Sequence, residues 1–134
     1  MHPTRLHLHN GLLKFNIIGL PYNFKKLTKK SNFSGHISYS APEFITEKPS
    51  FGVNSDTWSL GCCLYYLVTK KDPFEGKSIQ ETKNNILNLR LDTSDSLKFH
   101  DNILAQLIYT CLEREASKRM TCEEIMNYQD ELEE

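Results

Sequence analysis

Asn54-Ser55-Asp56-Thr57-Trp58-Ser59-Leu60-Gly61-Cys62-Cys63-Leu64-Tyr65-Tyr66-Leu67-Val68 is the stretch whose reading decides the fold. Three residues suited to a helix start come first, so Asn54, Ser55 or Asp56 is expected to cap the element. Its body, from Trp58 to Val68, is apolar on nearly every face. A helix of that kind belongs at the centre of a domain, not on its surface. The nearly apolar run from Leu60 to Val68 is far shorter than the roughly 20 residues a membrane helix needs. Asp72-Pro73 is expected to close the element, since the residue before proline resists the helical region.

Working outward, Ser78 and Glu81 have the spacing of a capping box and open a helix that carries Ile79, Ile86, Leu87 and Leu89. Helical spacing of Ile103, Leu104, Leu107, Ile108 and Leu112 predicts a third helix over about 101–113. Thr121 and Glu124 form a second box ahead of a fourth helix, which runs out in Asp130-Glu131-Leu132-Glu133-Glu134. Acidic residues at a helix C-terminus meet the wrong pole of the macrodipole, so that end is expected to fray. Upstream, Asn10-Gly11 is a strong signal for a two-residue hairpin turn, with Leu6 and Leu8 on one arm and 12–18 as the other. From Pro21 to Tyr39 no period is sustained, which predicts a long loop.

The whole chain has 134 residues, 39% apolar and 25% charged, which fits one ordinary globular domain. A net charge of −1 offers no global attraction to nucleic acid or anionic membrane. No apolar core with a cleavage site follows the first residues, because Leu12-Leu13 is followed at once by Lys14. Cys62, Cys63, Cys111 and Cys122 make no C-x-x-C pair and no spaced framework, which points to buried free thiols in a reducing compartment. The expected setting is intracellular, and cytoplasmic within that.

Four motifs in order carry a family likeness: Ala41-Pro42-Glu43, then Asp56-Thr57-Trp58-Ser59-Leu60-Gly61, then Asp72-Pro73-Phe74, then Cys111-Leu112 followed by Lys118-Arg119-Met120-Thr121. Together they resemble the large lobe of protein kinases, serine/threonine type. The segment from Gly52 to Cys62, with Pro73-Phe74-Glu75, looks most like the polo-like group, particularly its centriole-duplication branch. The fold this implies is mainly α: a large-lobe fragment with a short N-terminal β-hairpin, an activation-segment-like loop, then about four main helices. The resemblance further implies that Glu43 pairs with Arg119 and that Gly61 and Trp58 belong to the structural frame. A carboxylate and a guanidinium can pair bidentately, which makes the pairing chemically sound. Asp56 would accept hydrogen bonds from a catalytic loop in the family; read locally, it caps its own helix.

Phosphoryl transfer needs metal ions on the phosphates, a lysine, a glycine-rich cover and an aspartate to orient the attacking hydroxyl. Within the sequence given, none of the glycine-rich loop, the lysine-bearing strand and the His-Arg-Asp triplet occurs. The family's metal-binding aspartate falls on Ile17, which has no oxygen to offer a hard cation. Phenylalanine and glycine of that triplet fall on Ile18 and Gly19, and the asparagine for a second metal falls near Thr4 or Arg5. In the loop, the family's threonine before the Ala-Pro-Glu triplet is His36, and the phosphothreonine position is Asn32, flanked by Ser31 and Ser34.

The expectation is therefore a catalytically inactive kinase-like fragment that binds proteins, with no catalytic, cofactor or metal residues of its own. Its partner contacts are expected on the exposed face of the central helix, on the 78–89 helix, and at Lys25, Lys26, Lys29, Lys30 and His36. The four lysines read either as a solvated loop or as a dock for acidic peptides or lipid headgroups. The alternative is a portion of a longer serine/threonine kinase whose front lies upstream of Met1; ATP and magnesium would enter only there. A decaying gene duplicate with no selected role is a third reading. His2, His7 and His9 read as exposed polar residues or as a weak metal site.

Overall fold

Asn10 and Gly11 both take positive φ, 52° and 76°, the backbone that a two-residue turn between twisted strands requires. They join strand β1 (Leu6–His9) to β2 (Leu12–Phe15) in an antiparallel register that sets Leu8 opposite Leu13 and His7 opposite Lys14. A computed structural model describes residues 3–15, 37–46, 52–88, 91 and 102–130. Among the described residues the architecture is mostly helical, with one two-stranded sheet at the N-terminal end. A 3₁₀ turn at Ile37–Tyr39 leads into α1 (Pro42–Ile45), followed by α2 (Asn54–Thr69), α3 (Ile79–Asn88), α4 (Asn102–Cys111) and α5 (Cys122–Asp130).

The apolar body of α2 does lie at the centre, where Trp58, Cys62, Cys63 and Tyr65 are buried with Phe74, Ile86, Ile108 and Leu112. Phe74 stacks on Trp58 with ring centres 5.2 Å apart and planes 16° from parallel, a favoured offset arrangement of aromatic faces. α4 crosses α2 at Gly61, where an added Cβ would lie 2.7 Å from Cys111 Cβ and 2.9 Å from Leu112 Cδ2. Only a residue without a side chain permits that approach. Along α2, Leu67 is the exposed apolar residue, open over half its surface.

The capping box at α5 forms in full and the one at α3 only in its first half. At α5, Glu124 N donates to Thr121 Oγ1 at 3.2 Å while Thr121 N donates to Glu124 Oε2 at 2.7 Å. At α3, Glu81 N donates to Ser78 Oγ at 3.1 Å, but the Glu81 carboxylate turns to Lys77 N at 2.7 Å instead of the cap residue.

Three sequence expectations need correction. α2 begins at Asn54 with Val53 as its N-cap and no side-chain capping bond; two of the three candidate caps, Asn54 and Ser55, are recruited elsewhere. Asn54 Nδ2 donates to Ala116 O at 2.8 Å and Ser55 Oγ to Glu43 Oε1 at 2.7 Å. α2 ends before Asp72-Pro73, at Lys70, whose left-handed φ of 59° lets its N–H reach Tyr66 O at 2.8 Å. Cys62, Cys63 and Cys111 are buried free thiols as expected, but Cys122 is exposed. Ile17, Lys25, Lys26, Lys29, Lys30, His36, Leu89, most of the 21–39 loop and the acidic end at 131–134 lie outside the described residues.

Candidate functional site

Glu43 and Arg119 sit 76 residues apart in sequence, and the fold brings them together beneath the start of α2. Pro42 occupies the first turn of α1, where its missing N–H costs nothing and its fixed φ suits the helix. Ala41, just before it, is almost fully buried. Glu43 therefore points back into the domain from the first turn of α1. Arg119 comes from the segment between α4 and α5, and its side chain is fully buried.

All five N–H donors of that guanidinium are used. Nη1 donates to Glu43 Oε1 at 2.8 Å and to Asn54 O at 2.8 Å. Nη2 donates to Glu43 Oε2 at 3.0 Å and to Arg114 O at 3.2 Å, and Nε donates to Glu113 O at 2.7 Å. The cation also stands 5.2 Å from the centre of the Trp58 ring, within cation–π range. The fork thus ties three parts of the chain: α1, the N-terminus of α2 and the α4–α5 connection. Burial pushes the Glu43 carboxyl up, but the hydrogen bonds from Arg119 and Ser55 and the Arg119 charge outweigh it and hold it below the ordinary carboxylate range. Two buried polar atoms, Asn54 Oδ1 and Trp58 Nε1, have no hydrogen-bond partner among the described residues.

A second anchor was not visible in the sequence. The Tyr39 hydroxyl donates to Asp72 Oδ1 across 33 residues, and burial, followed by that bond and the Asp72 charge, pushes the phenol far above its usual range. Ser59, buried on α2, donates to Tyr39 O at 3.0 Å. Together these hold the segment ahead of Ala41 against α2 and the α2–α3 connection. Only the Asp72-Pro73-Phe74 motif hinted at that connection's importance, and it said nothing of Tyr39.

Asp56 occupies the first turn of α2, exposed; its backbone N–H donates to Val53 O at 3.3 Å, while its carboxylate makes no hydrogen bond among the described residues. It neither caps the helix nor meets a second segment there. His7 and His9 are exposed on β1, and among the described residues no cluster of three or more His, Cys, Asp or Glu could hold a metal ion. No helix among them is long and apolar enough to cross a membrane. What the site does chemically is structural: a charge-assisted fork that locks one loop end.

A profile of the protein kinase domain matches residues 6–129. The chain is similar to 3-phosphoinositide-dependent protein kinase B of Dictyostelium discoideum, 36% identical over 104 residues, which is 78% of this chain and 11% of that protein. It is also similar to serine/threonine-protein kinase Nek4 of Mus musculus, 29% identical over 123 residues, 92% of this chain and 13% of the relative. With death-associated protein kinase 2 of Homo sapiens it shares 30% identity over 121 residues, 90% of this chain and 32% of the relative. The chain thus spans between about a tenth and a third of the length of these relatives.

Proposed function

The chain belongs to the protein kinase domain family, and on that premise we propose that residues 1–134 form part of the large lobe of a kinase-like protein that does not transfer phosphate. One observation carries the reading: Ile17 stands where the family's metal-binding aspartate is expected. An aliphatic side chain leaves a hard cation without its oxygen ligand, and without that metal the charge on the transferring phosphoryl group goes unneutralised. No His-Arg-Asp triplet occurs within these residues to supply an orienting aspartate.

What the frame does well is hold a surface. The Arg119–Glu43 fork and the Tyr39–Asp72 bond brace the segment between the 3₁₀ turn and α1 against the α4–α5 and α2–α3 connections. α3 carries Ile79, 69% exposed, and Leu87, 38% exposed, on its outer side, and such a face suits docking by a protein partner. We place the basic stretch Lys25, Lys26, Lys29, Lys30 and His36 in the same role. The polo-like likeness rests on Gly52 to Cys62 with Pro73-Phe74-Glu75, and an intracellular, cytoplasmic setting suits four unpaired thiols.

The length of the relatives favours a second reading, in which these residues are the later portion of a longer serine/threonine kinase that uses ATP. Sequencing the transcript upstream of Met1 for a glycine-rich loop and a His-Arg-Asp triplet decides between them. The inactive reading is tested by labelled γ-phosphate: no incorporation into a general protein substrate is expected from the protein as expressed in its source cells. Transfer that disappears on mutating Glu43, but not on removing a contaminating kinase, overturns it.

A further inference from the structure

Cys122 is the exposed one of the four cysteines, and it opens α5, while Cys111 closes α4 and is fully buried. Both lie against one face of α2. Cys122 Sγ is 3.8 Å from Thr57 Oγ1, and one helical turn further on, a Cβ at Gly61 would lie 2.7 Å from Cys111 Cβ. Positions four apart on a helix stand about 5–6 Å from each other, so the two cysteines share a single ridge. We infer that Cys111 and Cys122 form a redox-responsive dithiol, which a hydroperoxide converts to a disulfide joining the end of α4 to the start of α5.

The chemistry balances in two steps. The exposed Cys122 thiolate attacks one peroxide oxygen and the O–O bond breaks, giving a sulfenic acid and hydroxide, which takes up the proton the thiol released and leaves as water. Cys111 Sγ then attacks Cys122 Sγ, the S–O bond breaks, and the departing hydroxide takes the Cys111 proton as a second water. Two thiols are oxidised and one peroxide is reduced. Burial, and after it the charge of Cys122, push the Cys111 thiol up to about 12. Burial alone keeps the second step slow at neutral pH, and the step quickens as pH rises. Cys62 and Cys63 are as buried as Cys111 and carry raised thiols too; what sets Cys111 apart is its place against the Thr57–Gly61 side of α2 that Cys122 also touches.

The consequence falls on Arg119, because residues 112–121 would become a closed loop. Oxidation then restrains the segment that delivers the guanidinium to Glu43.

The test exposes the 134-residue chain to hydrogen peroxide at pH 7 and pH 9, alkylates the remaining thiols after unfolding, and maps the peptides by mass spectrometry. The expected product is a Cys111–Cys122 linked peptide within one chain, formed faster at pH 9, reversed by dithiothreitol, and accompanied by slower amide exchange over 112–121. In Cys122→Ser, an exposed conservative change, both the link and the slowed exchange are lost. The inference is overturned if Cys122 ends as a sulfinic acid with Cys111 still alkylatable, if chains become linked to each other, if Cys122 pairs with Cys62 or Cys63, or if no thiol is lost.

Discussion

Replacing Arg119 by alanine removes a buried cation that satisfies one carboxylate and three carbonyl oxygens. The Glu43 side chain it leaves behind is 13% exposed, too little for water to replace the fork. Breaking a buried pair by deleting one partner costs about 3–5 kcal/mol, most of it the penalty for the charge left alone. Loss of the cation over Trp58 adds about 0.5–2 kcal/mol. Against the roughly 5–15 kcal/mol that holds an ordinary domain together, Arg119→Ala is expected to leave the chain marginally folded. Urea unfolding followed by tryptophan fluorescence measures this directly, since Trp58 is the one tryptophan and lies against the guanidinium. Arg119→Lys keeps the charge but has at most three donors where five are used, so it should fall between wild type and alanine. Lys118→Ala is the control: its ion pair with Glu115 joins side chains 68% and 55% exposed, and its loss should leave the midpoint unchanged. If Arg119→Ala shifts the midpoint no more than Lys118→Ala at the same slope, the reasoning about the buried fork is refuted.

Other outcomes follow from the same structure. Gly61→Ala drives a methyl group into Cys111 Cβ and Leu112 and should cost about 1–3 kcal/mol by thermal or chemical unfolding, as overpacked cores do. Thr121→Ala removes the hydroxyl that receives Glu124 N; a loss of about 1 kcal/mol is expected, with faster amide exchange confined to the start of α5. Glu43 holds its proton less tightly folded than unfolded, so its stabilising contribution is complete above the unfolded pKa of about 4.3 and is lost as pH falls through the lower folded value. Acid titration of stability should therefore be shallower for Glu43→Gln than for wild type in that window, and parallel curves would contradict the assignment.

Much of the frame was legible because its signals are local. Asn10-Gly11 forces a turn by backbone freedom alone, Thr121 and Glu124 close a box within four residues, and Trp58 to Val68 has no polar face on which to rest at a surface. What escaped depends on partners distant in sequence. Asn54 and Ser55 look like helix caps in isolation, but Ala116 and Glu43 claim their side chains from 62 and 12 residues away. Tyr39 and Asp72 carry no shared period that would pair them. Lys70 adopts a left-handed cap that its residue type does not advertise. Cys122 shows how spacing misleads: it opens a helix as expected, yet sits on the rim of the core and not within it.

The central claim is that these residues make a kinase-type frame without the means to hold magnesium and ATP, and calorimetric titration of the 134-residue chain with ATP in the presence of magnesium tests it most directly. The account predicts no saturable heat up to millimolar nucleotide. A one-to-one isotherm that vanishes when magnesium is chelated would contradict it.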